Sequence, residues 1–495
     1  MGPHPELAEL SASALAGLLS RNELSTVELV QMSLDRIAAL DRDGTRSVIE
    51  LNPDALEIAR RLDGPRRGDR VRGPLQGLPV LVKDNLNTGD RMLTTAGSLA
   101  MAGARAKRDA PVVARLRAAG AVLIGKTNLS EWANFRSTRS SSGWSGRGGQ
   151  TRNPHVLDRS PGGSSSGSGA AAAAGYAAIT IGTETDGSIV SPATANGVVG
   201  MKPGLGVVSQ AGIVPIAASQ DAAGPLTRTV EDAALVLSAI ATRPVDYRSA
   251  LNKGGLRRQR LGVLRAPFTG YSEHTDRCYE ESLKALKACG AVLVEVDFPT
   301  AKELRESDVE LTILLHEFRI GLNRYLQGRT GLAVKTLADV IRWNRRHASA
   351  EMPYFRQELL EKSAATRTSR PEAYREARKR ALRLARDEGI DRVLREHRIH
   401  ALVAPSGAPA WVIDQIDGDR HLGGATQPSA IAGYPIISVP AGWAFDLPLG
   451  LAFFAGPGSE ARLLRYAYAF EQMTNARKPP GFLPTLNLPP TTARY

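Results

Sequence analysis

A chain of 495 residues with 42% hydrophobic and 23% charged residues has ordinary globular composition, which excludes a disordered or collagenous protein and leaves room for a large buried core. Two cysteines cannot build a disulfide framework, and Cys278 and Cys289, both in one expected helix, stand about 16 Å apart at helical rise and cannot bridge each other. The formal net charge of +13 raises the question of a nucleic-acid partner, but 16 Lys and Arg against 9 Asp and Glu fall between Arg342 and Arg398, in a helical pattern with a solvated basic face.

The N-terminus carries no basic cluster followed by an apolar run and no lipidation site, so a cytoplasmic protein is expected. Two amphipathic helices fill the first 40 residues. The second opens on a capping box, Ser25 and Glu28 standing three apart behind Leu24. Strand-like residues 77–84 precede a helix over 111–120 and a strand over 121–125. Further strands follow at 260–268 and 291–298, with a helix from Glu280 to Cys289 between them. Pro371 opens a helix whose apolar face carries Tyr374, Ala377, Ala381 and Leu384, with Gly389 as its stop. ALVAPS and PIISVPAG read as short buried strands, and Glu460 to Met473 as a closing helix. The alternation argues for an α/β fold with a mixed, mostly parallel twisted sheet under helices. No linker divides the chain, so residues 1–495 are expected to form one large domain, with a core over 77–240 and a helical cap or insertion over 300–395.

Two formal motif matches fail on physical grounds. Gly120 to Thr127 satisfies the phosphate-loop pattern, but Ala121 to Ile124 is an apolar strand whose N–H groups belong to a ladder. Gly163 to Gly167 fits the nucleophile-elbow pattern without the hydrophobic strand an elbow needs before it. Of the eight histidines only His155 lies near, so a Ser-His-Asp triad needs a distant partner, and no Cys/His cluster has metal-ligand spacing. The uncharged stretch Ser160 to Thr183 is Gly, Ser and Ala rather than Leu, Ile and Phe, and is not a membrane helix.

That stretch is nevertheless where chemistry is expected. Residues 160–203 enclose an Ala-rich helix between loops of glycine and serine that feed the strand AITIG, an arrangement able to aim several backbone N–H groups at one point. GGSSSGSG followed by GTETDGSIVSPA and GVVGMKP resembles the amidase signature. GLPVLVKDNLNT, AGAVLIGKTNLSEWANF, TRNPHVLDRSPGG, SQDAAGPLTRTVEDAALVL, PSAIAGYPIISVPAG and LPLGLAFFAGPGSEARLLRYAYAFE continue the resemblance in order over about residues 8–475. SEWANF, GWSGRGGQTRNP and GTETDGSI are most similar to the bacterial peptide amidases, which remove the C-terminal amide of peptides.

The resemblance implies the amidase signature fold, a Ser-Ser-Lys catalytic group and hydrolysis of primary carboxamides. An aryl or alkyl amidase, or one of the subunits of glutamyl-tRNA amidotransferase, stands as the alternative. Ser188 matches the family's nucleophile, Ser164 the bridging serine with a cis peptide bond, and Lys83 the base. The backbone N–H groups of Thr185, Asp186, Gly187 and Ser188 match the oxyanion donors, and Ser165 and Thr183 match hydrogen-bonding residues around them. No metal or organic cofactor is implied. The expected partner is a small-molecule or peptide amide, with no nucleic acid or membrane, and the chain is expected to be a monomer or homodimer.

Two positions depart from the commonest family pattern. Asp186-Gly187 stands where a glycine pair usually precedes the nucleophile, and a carboxylate facing a developing oxyanion would be harmful. Asp186, if functional, must therefore point at the leaving amide or at a backbone N–H. Val190 replaces an arginine often found two residues after the nucleophile, which puts a substrate carboxylate site there in doubt.

Overall fold

The computed structural model describes residues 2–63, 73–368 and 371–488. In chain order the strands are β1 (Val48–Leu51), β2 (Pro79–Lys83), β3 (Val122–Thr127), β4 (Trp144–Ser145), β5 (Gly149–Gln150), β6 (Ile179–Glu184) and β7 (Val199–Lys202). They continue as β8 (Ala222–Thr227), β9 (Arg260–Leu264), β10 (Val292–Val296), β11 (Ala401–Pro405), β12 (Ile436–Ala444) and β13 (Leu447–Phe454). Apart from the small pair β4–β5, they form one eleven-stranded sheet in the order β1-β3-β2-β6-β8-β7-β12-β13-β11-β9-β10.

The sheet is mixed. β3, β2 and β6 run parallel on one side and β11, β9 and β10 on the other, while β6, β8, β7, β12, β13 and β11 pair antiparallel across the middle. β2, β3, β6 and β8 are buried along their whole length, because helices cover both faces, and their sequences are accordingly almost free of alternation. β3 runs on through Lys126 and Thr127. The Lys126 ammonium is fully buried and donates to the carbonyls of Leu86 (2.7 Å) and Leu93 (3.1 Å), so the phosphate-loop pattern lies on a paired strand.

The expected capping box is present: Glu28 N–H donates to Ser25 Oγ and Ser25 N–H to Glu28 Oε2, opening the helix Thr26–Leu40. The expected stop at Gly389 is a kink instead. Wider turns over Arg383–Ile390 carry the chain past Gly389, and the helix resumes at Asp391–Glu396. A Cβ at Gly389 would stand 2.4 Å from the Leu384 carbonyl oxygen, so the glycine permits a close approach rather than an ending.

Between β10 and β11 the described residues form helices and turns with no strand. These helices share an apolar cluster with the sheet: Ile313, Ala381, Leu384 and Ile390 pack with Leu264 and Val296 of the strands and with Val190. One α/β domain results. No helix among the described residues is long and apolar enough to cross a membrane.

Candidate active site

The helix Ser166–Ala174 is buried along its entire length, and its small residues are what let it lie against β2, β3 and β6. A Cβ at Gly167 would sit 2.3 Å from the Ser47 carbonyl oxygen, and one at Gly182 of β6 would sit 2.6 Å from Ser165 Oγ. Close packing of this helix on β6 brings Ser164 and Ser165, just before the helix, against the end of β2. There Lys83 is the last residue.

Lys83 Nζ, fully buried, donates to Ser164 Oγ at 2.8 Å, Ser165 Oγ at 3.0 Å and Thr183 Oγ1 at 2.9 Å, with the Thr183 carbonyl at 3.3 Å. Burial without a carboxylate in contact pushes its pKa down to about 7, against smaller opposing pulls from Asp221 and Glu184. Ser165 Oγ donates to the Thr183 carbonyl at 2.9 Å and accepts from Thr183 N–H at 3.1 Å, and Asn85 Nδ2 donates to Thr183 Oγ1 at 2.9 Å. The Gly163–Ser164 peptide is cis, as the resemblance implies.

Ser188 joins the group through its backbone, its carbonyl accepting from Ser165 N–H at 3.1 Å. Among the described residues its hydroxyl has no hydrogen-bond partner, and the N–H groups of Asp186, Gly187 and Ser188 donate to none. Gly187 takes a left-handed φ of 79°, which turns this segment back before the helix Val190–Ala195. Thr185 faces away, its hydroxyl donating to Asp221 Oδ1 at 2.6 Å.

A cavity of about 440 Å³ opens on this segment, lined by Gly163, Asp186, Gly187 and Ser191 and by Asn134, Leu359, Trp411 and Thr426 among others. Asp186 Oδ1 is buried there without a partner. Burial, then the nearby Glu310 carboxyl, hold Asp186 well above the ordinary carboxyl range, although the Thr426 hydroxyl pulls it down. Asp419 lines the same cavity with both oxygens committed, to Ser142 N–H and hydroxyl and to Trp411 Nε1–H at 2.9 Å.

The structure thus gathers Lys83, Ser164, Ser165, Thr183 and Ser188. His155 stays out: its ring packs edge-on to Trp443, Nε2 meets the Asn196 carbonyl at 3.0 Å, and burial pushes its pKa down to about 4. Val190 is buried among apolar side chains, which leaves no cation at that spot for a substrate carboxylate. Among the described residues no group of three or more His, Cys, Asp and Glu side chains is placed to hold a metal.

Other residues at the site do not stand out in the sequence. Glu184 Oε2 accepts from Ile189 N–H at 2.7 Å and Val190 N–H at 2.9 Å, holding the turn that follows Ser188. Gln220 Nε2 donates to the Thr185 carbonyl at 3.3 Å and to Glu310 Oε1 at 2.8 Å, and Asp221 takes the N–H groups of Ile216 and Ala217. Asn85, Glu184, Gln220 and Asp221 lie inside the family-like segments VKDN, GTETDGSI and SQDAAGP, which is the signal that could have found them. Nothing in the sequence marks Glu310, which arrives from a helix some 90 positions downstream.

Residues 28–464 match the amidase family model. The native peptide amidase of Stenotrophomonas maltophilia superposes with a TM-score of 0.91 at 48% identity, covering 97% of this chain and 99% of that one. A probable amidase of Arabidopsis thaliana is 38% identical over 94% of this chain and 90% of its own length. A glutamyl-tRNA(Gln) amidotransferase subunit of Moorella thermoacetica is 36% identical over 95% of this chain and 97% of its own length.

Proposed function

The chain belongs to the amidase family, whose members hydrolyse amides, and from that premise we propose that it releases ammonia from primary carboxamides, above all the C-terminal amide of peptides, through a seryl acyl-enzyme. The observation that carries this reading is the Lys83 ammonium, fully buried and bonded to hydroxyls and a carbonyl with no carboxylate in contact. A lysine so placed loses its proton near neutral pH and can then take one from Ser164.

In the proposed reaction neutral Lys83 withdraws a proton through Ser164 as Ser188 Oγ attacks the amide carbonyl. The N–H groups of Asp186, Gly187 and Ser188, with Thr185 N–H beside them, receive the oxyanion. Ser164 then protonates the departing ammonia, and water repeats the sequence to release the acid. The Ser188 hydroxyl is unpartnered in the resting site, so its link to Ser164 closes as substrate binds, a tightening common to catalytic hydrogen bonds. Ser165 and Thr183 hold the Lys83 amine in position. Leu359, on the helix Glu358–Ala365, lines the cavity, which supports a covering role for the helices of residues 300–395.

Similarity to the Stenotrophomonas peptide amidase supports the peptide preference. Two readings compete with it, an aryl or alkyl amidase and a component of a tRNA-dependent amidotransferase, the second favoured by the Moorella relative. Ammonia release by the purified lone chain, measured over peptide amides, free amino acid amides and aryl amides, decides among them. The expected result is highest kcat/KM on peptide amides and none in Ser188→Ala. Better turnover of aryl amides, or activity only within a tRNA-binding complex, overturns the peptide reading.

A further inference from the structure

A second cavity, of about 620 Å³, opens between the helix Val309–Gln327, the start of the helix Pro371–Leu382 and the loop at Ala218 and Ser219, and it shares no lining residue with the active-site cavity. We propose that it binds a small organic anion: one carboxylate or phosphate group carried on an apolar body.

The charge around it is the first observation. Arg319, Arg324, Arg367 and Arg378 all line the cavity, and among the described residues none of the four is in an ion pair. Other arginines of the same helical region are paired: Arg345 with Glu361, Arg380 with Glu303 and Arg383 with Glu388. The acidic residue in the lining, Glu317, has both oxygens committed, one to Tyr374 Oη–H at 2.7 Å and the other to Ser219 N–H at 2.9 Å. Arg324 and Arg367 are exposed, Arg319 and Arg378 are half-buried, and Arg319 Nε donates to the Thr366 hydroxyl at 2.9 Å. The cavity therefore carries net positive charge, and planar guanidinium forks match carboxylate and phosphate oxygens.

Unsatisfied polar atoms are the second observation. Arg378 Nη1, Ser219 Oγ and His316 Nε2 are all buried and all lack a hydrogen-bond partner, and their three residues line this one cavity. His316 Nδ1 meets the Thr312 carbonyl at 2.9 Å, which places a proton on that nitrogen and makes Nε2 of the neutral ring an acceptor, so the donors open to an anion are Arg378 Nη1 and the Ser219 hydroxyl. A buried donor without a partner is costly, and two such donors in one place, Arg378 Nη1 and Ser219 Oγ, point to a site that takes an acceptor.

The third observation is the wall. Ile320 is 48% exposed beside the arginines, and Pro371 and the Tyr374 ring extend the apolar surface. A bare inorganic ion would leave that surface wet, whereas an aliphatic or aromatic body would cover it.

Binding of octanoate, octyl phosphate, inorganic phosphate and neutral octanamide, measured by saturation-transfer NMR on the full chain, tests this. The Ser188→Ala background keeps the amide from being consumed. Octanoate or octyl phosphate should bind, the stronger of the two identifying the head group, with inorganic phosphate and octanamide at least tenfold weaker. Arg378→Gln should weaken the organic anion about tenfold or more, as loss of a charge-assisted hydrogen bond does. Ile320→Glu, a change at an exposed position, should abolish binding while hydrolysis of a peptide amide by the otherwise native chain stays unchanged. The proposal fails if neither organic anion binds, if binding ignores both substitutions, or if octanamide or inorganic phosphate binds as tightly.

Discussion

Lys83 can serve as a base only after losing its proton, and its surroundings bring that loss to about pH 7. Because burial lowers the value, the amine is protonated and inactive below that point and neutral above it, so kcat/KM should climb along a single ascending limb centred near pH 7. A profile that peaks in acid would exclude Lys83 as the base. Lys83→Ala and Ser164→Ala should each lower kcat by orders of magnitude, and the double variant should lose little more than either, because the two act as one relay. Asp186 has a smaller expected role than an ionised acceptor would have. Burial and Glu310 favour its neutral acid, and a neutral hydrogen bond to a peptide backbone contributes ~0.5–1.5 kcal/mol, or about two- to tenfold in kcat/KM. Asp186→Gly should cost about that much on peptide amides and little on aryl amides, which lack the peptide N–H. Equal losses on both would mean that Asp186 only shapes the backbone. The identity of these residues is readable through the family-like segments, but their charge states are not, since a lysine at a strand end is more often exposed and only packing from several elements buries this one.

At the scale of elements, the features written locally in the chain are the ones the sequence displays. The capping box at Ser25 and Glu28 and the all-small helix Ser166–Ala174 depend on neighbours a few positions apart. Gly389 reads as a helix stop, yet its reason is a contact: the Leu384 carbonyl and the Phe298 ring crowd the space where a Cβ would be. Glu184 is another case. It lies inside the family-like segment GTETDGSI, but only the fold shows that its carboxylate holds the N–H groups of Ile189 and Val190 and so fixes the turn that follows Ser188. Glu184→Ala leaves those two buried donors unpaired and should destabilise the chain by ~1–3 kcal/mol, as losing a buried hydrogen-bond acceptor does. Glu184→Gln, which keeps one carbonyl acceptor, should recover part of kcat and of thermal stability together. If Glu184→Ala instead melts at the wild-type temperature with full activity, the turn is held by something other than this carboxylate.

Over the whole molecule, the order of the sheet is out of reach of local patterns. β12 pairs with β7 across more than 230 positions, and antiparallel pairing of this kind inserts β12 and β13 between two sets of strands that read as ordinary α/β repeats. What ties the helices of residues 300–395 to the sheet is equally invisible in the chain. Arg136, fully buried, lies 3.1 Å from Glu131 Oε1, donates to the Glu351 carbonyl, and places its guanidinium 4.2 Å from the Phe355 ring and 5.0 Å from the Trp144 ring. Glu351 in turn accepts from the Ser98 hydroxyl and from Leu99 N–H. Residues from both regions therefore surround one buried cation, with Glu131 held well above the ordinary carboxyl range by burial and by the Glu351 carboxyl. Removing the guanidinium leaves the Glu351 carbonyl and Glu131 Oε1 without their donor, and leaving buried acceptors unpaired costs ~1–3 kcal/mol each. Because the helices also share an apolar cluster with β9 and β10, that loss should lower the stability of everything at once. Calorimetry of Arg136→Ala should show a single endotherm at reduced temperature, with the helical signal and the sheet signal lost together. Two separated endotherms would show that the helices melt on their own and that the cluster around Arg136 does not join the two parts into one cooperative unit.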